Sequence, residues 1–145
     1  MKPAIILLLS LLALNACNHQ YNSPLEGSWQ LTEIYDKSTN TSSSTPKIDG
    51  HAIVLNLTAS SFSGKTFNNV FTGESYKLTG EDGITFSSYI STQVAEDVWG
   101  SPFFTVLSAC MLQSMFPCEP SRYLVSGNTL VIKSPLRYDI RLRRL

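Results

Sequence analysis

Residues 136–143 read LRYDIRLR: Leu136, Tyr138, Ile140 and Leu142 alternate strictly with Arg137, Asp139, Arg141 and Arg143. Successive side chains of an extended chain point to opposite faces, so this period of two predicts a β-strand with an apolar face in the core and a charged face in water. A sheet wetted on one side is typical of antiparallel pairing. Just before it, residues 123–125 and 128–133 flank Ser126-Gly127, a hairpin signal that supplies two further strands.

The same reasoning gives more strands toward the N-terminus. Residues 25–34 (LEGSWQLTEI) place Trp29 and Leu31 on one face, and 51–57 (HAIVLNL) place Ile53, Leu55 and Leu57 together. Short strands over 61–66 and 74–78 are separated by Gly64 and Gly73, and Gly80-Glu81-Asp82-Gly83 reads as a turn before a strand beginning at Ile84. Residues 38–46 (STNTSSSTP) contain nothing apolar and read as a solvated loop, a hairpin or crossover connection. The character changes at Ser101-Pro102, where Ser can cap orphan amides and Pro fixes the first helical φ. Phe103, Leu107, Cys110 and Met111 follow at helical spacing until Pro117, predicting one helix. The sum is about seven or eight short strands and this helix, an α+β fold: mainly an antiparallel curved β-sheet or partial barrel with one late helix packed on it.

The first seventeen residues bear on location. Residues 4–14 (AIILLLSLLAL) are apolar apart from one serine and follow a positive Met1-Lys2 start. A membrane-spanning helix needs about 20 apolar residues, so the run has the length of a secretory signal core. It ends in Leu14-Asn15-Ala16-Cys17, which resembles the bacterial lipobox, with Asn15 in place of the usual small residue. The resemblance implies cleavage after Ala16 and a diacylglyceryl thioether on Cys17. The expected organisation is a lipoprotein signal peptide over 1–16, a lipidated tether over 17–24 and a single domain over 25–145. Residues 18–24 reach roughly 20–25 Å when extended. By the same resemblance, Asn18 in place of Asp points to the outer membrane, facing the periplasm.

With 11 basic and 11 acidic residues the net charge is zero, which argues against a nucleic-acid partner. Once Cys17 is assigned to lipid, Cys110 and Cys118 remain as an even pair in a compartment where disulfides persist, and a bond between them is expected. Closing that loop should contribute on the order of 2.5 kcal/mol. Eight residues along an intact helix separate α-carbons by about 12 Å, beyond bridging distance, so the chain has to turn back near 114–117.

Ser63-Gly64-Lys65 followed by Asn69, then Phe71-Thr72-Gly73, Tyr76, Leu78, Ile84-Thr85-Phe86 and Thr92-Gln93-Val94-Ala95, resemble in order and spacing the META domain of HslJ-like lipoproteins. The match extends more loosely from Leu25-Glu26-Gly27-Ser28-Trp29 to the hairpin over 127–132. Where family members commonly carry cysteines, this chain has Asn68 and Glu96, and its pair is Cys110 and Cys118 instead. The resemblance implies a curved antiparallel sheet with a helix packed on it, a cell-envelope location, and an association with stress tolerance or with secretion and motility. It implies no catalytic residues.

No constellation in the sequence marks a reaction. His19 falls in the tether and His51 at a strand start, where it reads as a half-exposed strand residue. There is no His, Cys or carboxylate pair at metal-ligand spacing, and Gly64-Lys65-Thr66 lacks the glycine-rich run of a phosphate loop. Glu81-Asp82 reads as a turn and not a calcium loop. Arg137, Arg141, Arg143 and Arg144, with Lys133, form a basic strip that would suit anionic head groups, but Asp139 interrupts it and it reads as a solvated face. Phe103, Phe104, Met111, Leu112, Met115 and Phe116 are more apolar than a one-sided helix needs. They read as core; failing that, Phe103, Phe104, Met111 and Met115 are the candidate ligand or partner surface. The expectation is a non-enzymatic envelope lipoprotein without cofactor, held to the membrane through Cys17, that binds an envelope protein partner or supports outer-membrane integrity under stress. The alternative is a carrier of a small hydrophobic ligand resembling the lipocalins, on the strength of Gly27-Ser28-Trp29 in the first strand.

Overall fold

The computed structural model describes residues 23–48 and 51–145, so the expected signal sequence, Cys17 and His19 lie outside the described residues. The elements are β1 (Gly27–Asp36), β2 (Thr41–Ser44), β3 (Val54–Leu57), β4 (Phe62–Lys65), β5 (Val70–Gly73), β6 (Tyr76–Thr79), β7 (Gly83–Phe86), β8 (Tyr89–Ser91), α1 (Gly100–Leu107), β9 (Ser121–Ser126), β10 (Thr129–Lys133) and β11 (Tyr138–Arg144). All strands join one antiparallel sheet in the order β6-β7-β9-β10-β11-β1-β3-β4-β5-β8, with β2 paired to β1 alongside. The expected α+β class, a curved antiparallel sheet with one helix, is the fold found. No helix among the described residues is long and apolar enough to cross a membrane.

The alternation that predicts β11 comes from its place between β10 and β1, where Ile140 and Leu142 are buried and Arg141 and Arg143 exposed. The strand begins two residues later than expected. Leu136 lies outside it and is exposed, because Ser134 and Pro135 form a turn in which Leu136 N donates to Ser134 Oγ and Ser134 N to Asp139 Oδ1.

One edge of β1 serves two partners. Its first half pairs with β3 and its second half with β2, and the register with β11 slips between Leu31 and Glu33. Such a bulge bends a strand and re-aims it. The stretch expected as a loop over 38–46 is therefore a hairpin whose return arm, β2, is a strand exposed at every residue. Its polar sequence hid it, since an edge strand needs only backbone bonds and buries no side chain.

Neither β5 nor β8 is expected from the sequence; Gly64 lies inside β4, and Gly73, expected between strands, is the last residue of β5. In the β4–β5 register Phe62 faces Gly73 and Gly64 faces Phe71. A Cβ on Gly73 would come within 2.1 Å of the Phe62 ring, and one on Gly64 within 1.9 Å of the Val54 carbonyl and 2.7 Å of the Phe71 ring. Glycine lets each ring lie flat against the opposing backbone.

The ladder places β7 and β8 near opposite ends, yet only Ser87 and Ser88 connect them. Two residues span less than about 10 Å, so the sheet has to curl its ends together. Ser87 is buried and ties the corner: its amide donates to Ser75 O, its hydroxyl to Ser88 O, and it accepts from Ser75 N. Inside the curl Trp29, Phe62, Phe86 and Phe103 are fully buried, with Leu130, Ile132, Ile140 and Leu142 from the opposite wall.

The helix is shorter than expected and differently capped. It stops at Leu107, and Asp97 in place of Ser101 caps it, with Oδ1 accepting from the Trp99 and Gly100 amides at 2.9 and 2.7 Å. Beyond it, Met111 bridges to Phe86 of β7 and cannot belong to a helix. We expect Gly64→Ala to lower stability by about 1–3 kcal/mol through overpacking, read as a shifted urea midpoint, while Thr72→Ala on the exposed face of β5 leaves it nearly unchanged.

Candidate functional site

The apolar set expected around the helix divides. Phe103 is fully buried and belongs to the core, which removes it from any binding surface. Phe104 is half-buried and stacks on Tyr89 with ring centroids 5.1 Å apart. The Tyr89 hydroxyl shares a 3.0 Å hydrogen bond with Ser108 Oγ, and burial pushes its pKa above the ordinary phenol value. Met111 is half-buried at its bridge to β7, whereas Met115 is 93% and Phe116 80% exposed.

Cys110 and Cys118 are bonded, with α-carbons 5.6 Å apart. The loop between them is pinned at its base: Leu112 N donates to Phe86 O, Ser114 N to Met111 O, and Ser88 N to Gln113 Oε1. The chain turns back over 111–114, earlier than expected, because the helix has already ended.

A second constellation sits where β4, β5 and the segment after β8 meet. Asn69, 5% exposed, donates from Nδ2 to Val94 O at 2.7 Å and Glu96 Oε1 at 2.5 Å, while its Oδ1 accepts from Thr92 Oγ1 and Val94 N at 2.8 and 2.9 Å. Thr66 Oγ1 donates to the same Glu96 oxygen, and Asn68 Nδ2 to Ala95 O. Glu96 Oε2 is buried without a partner, lying where a Cβ on Gly100 would be, 1.8 Å away. This latch clamps the 92–96 strap to the sheet and leads it into the helix. Sequence reading had singled out Asn69 and Thr92 to Ala95 as motif residues but gave them no physical role; a buried Asn facing a Thr-containing strap is the signal that identifies the latch.

Two residues of the basic strip, Arg137 and Arg141, have acidic neighbours. Arg137 makes a bidentate contact to Asp36, Arg141 lies 3.7 Å from Glu33, and Lys37 lies 3.2 Å from Asp139. Arg144 stacks over Trp29 at 4.2 Å and donates to the Glu26 and Pro24 carbonyls, so it closes the start of the domain. Asp82 pairs with Arg122 at 3.1 Å in the turn before β7. His51 is exposed at the rim of open clefts of about 480–500 Å³ shared with Lys65, Phe67 and Ile48. Among the described residues no three His, Cys, Asp or Glu side chains stand close enough to hold a metal ion.

No family model and no curated protein matches the chain. Solved structures do. An NMR structure of a protein from Burkholderia xenovorans superposes with a TM-score of 0.58 at 20% identity, over 83% of this chain and 82% of that one. A DUF4847 family protein from Bacteroides vulgatus ATCC 8482 gives 0.54 at 14% identity, over 81% and 92%. At these identities the likeness shows the fold alone.

Two outcomes follow. Asn69→Ala removes four hydrogen bonds that hold the 92–96 strap and should lower stability by about 1–3 kcal/mol, with faster hydrogen exchange at the Val94 amide. Arg137, joined by Ser38, holds the Asp36 carboxyl well below the usual carboxylate range. Its contribution to stability is complete above the ordinary Asp pKa of about 3.9 and is lost as pH falls from there through the lowered folded value. Solvent screening keeps it small. The Tm of Asp36→Asn should therefore lie below wild type at pH 7, with the gap closing as the buffer is acidified below about pH 4.

Proposed function

We propose that this chain is a lipid-anchored protein of the bacterial cell envelope whose META-like domain is non-catalytic and acts by binding at its surface, through an envelope protein partner or in support of outer-membrane integrity under stress. The observation that carries the reading is the distribution of three cysteines: Cys17 ends a stretch that resembles a lipobox, and the other two are joined to each other. A disulfide of this kind persists in an oxidising compartment, which agrees with an exported chain. Asn69, Thr92 and Val94, three of the residues on which the META resemblance rests, meet in one latch. A carrier is less well supported, because aromatic side chains fill the curl of the sheet and leave a ligand only surface clefts.

The intact mass of protein extracted from membranes tests this. We expect residues 1–16 to be lost, acyl-bearing mass added at Cys17, and two hydrogens fewer than the dithiol form. An unmodified Cys17, or two thiols open to alkylation in the native protein, would overturn the reading.

A further inference from the structure

The loop closed by Cys110 and Cys118 reads CMLQSMFPC and carries no charge. Its tip exposes 93% of Met115 and 80% of Phe116, and Leu112 beside them is 38% exposed. Large apolar side chains presented together to water mark contact sites. The disulfide and the bonds from Leu112 and Gln113 to β7 and Ser88 hold this tip in place, so little further ordering is needed for it to engage a surface.

The tether indicates which surface. Five residues separate Cys17 from Ser23, where the described chain begins, a span of about 20 Å at full extension. Ser23 N is bonded to Glu26 Oε1 at 3.1 Å. Glu26 precedes Gly27, which pairs with Leu57, and Thr58 O next to Leu57 accepts from the Tyr76 hydroxyl at 2.7 Å, so the start of the domain lies beside β6. Tyr76 pairs with Phe86, and Phe86 bridges to Met111 at the foot of the loop. The start of the domain and the loop base thus stand at the same end of the curled sheet. A lipid on Cys17 draws that end toward the bilayer.

We propose that the 110–118 loop is a second membrane contact, in which Met115 and Phe116 enter the acyl-chain boundary of the bilayer that holds Cys17 and so fix how the domain sits on it. The proposal rests on the lipid-anchor reading. It gives the loop an orienting role, and leaves retention to the lipid.

The test uses the full lipidated protein reconstituted in phospholipid vesicles with brominated acyl chains, which quench tryptophan emission on contact. Phe116→Trp, Met115→Trp and Leu124→Trp, the last on the outer face of β9, are compared with wild type, whose Trp29 and Trp99 give the background. The emission added at 116 or 115 should be lost in brominated vesicles and kept in plain ones, while that at 124 is unaffected. Protein that floats with the vesicles but keeps its added emission at both loop positions overturns the loop contact and leaves the anchor standing. Protein that does not float overturns the anchor and the loop contact with it. Equal quenching at the loop and at 124 means loose adsorption, and crosslinking of the loop to an envelope protein in membranes assigns it to a protein partner; either result overturns the proposal.

Discussion

The rings of Phe62 and Phe71 lie against glycines on the neighbouring strand, and this close approach lets a sheet of short strands roll up around its own aromatic side chains. A Cβ at either glycine would hold the rings off the backbone and flatten β4 and β5. With the rings in place, Phe62 reaches Phe86 at a centroid distance of 5.0 Å, and Phe71 reaches Phe103 and Phe104 of the helix at 5.8 and 5.3 Å. Strands from opposite ends of the ladder thus share one core. The two-residue corner at Ser87 and Ser88 is the chain's way of following that curl, and the 92–96 strap, locked by Asn69, carries it on to the helix.

Legibility in the sequence followed side-chain burial. Where a strand has one dry and one wet face, as in β11 and β10, alternation marks it. β2 buries nothing and β8 is three residues long, so neither leaves a pattern. β5 was hidden by Gly73, whose role comes from a ring on another strand that no local window contains. The helix was placed correctly in its first turns but overextended, because Cys110 and Met111 keep helical spacing while packing against β7. Of the site, the cysteine pairing was readable from number and compartment, and exposure of the loop tip was not: Met and Phe signal core unless a disulfide turns them outward.

With the interior occupied by the core cluster, charge is displayed on the surface, and among the described residues four ion pairs match part of it: Arg137 with Asp36, Arg141 with Glu33, Lys37 with Asp139 and Arg122 with Asp82. Exposed pairs of this kind add little to stability. The loop closed by the disulfide, by contrast, carries no charge.

The claim underlying this account is that the domain is solid and carries no cargo. Native mass spectrometry of the lipidated protein released gently from membranes tests it most directly. The account predicts an ion at the mass of the lipidated chain alone. An ion that retains a small apolar molecule, and loses it only on unfolding, would contradict it and make the protein a carrier.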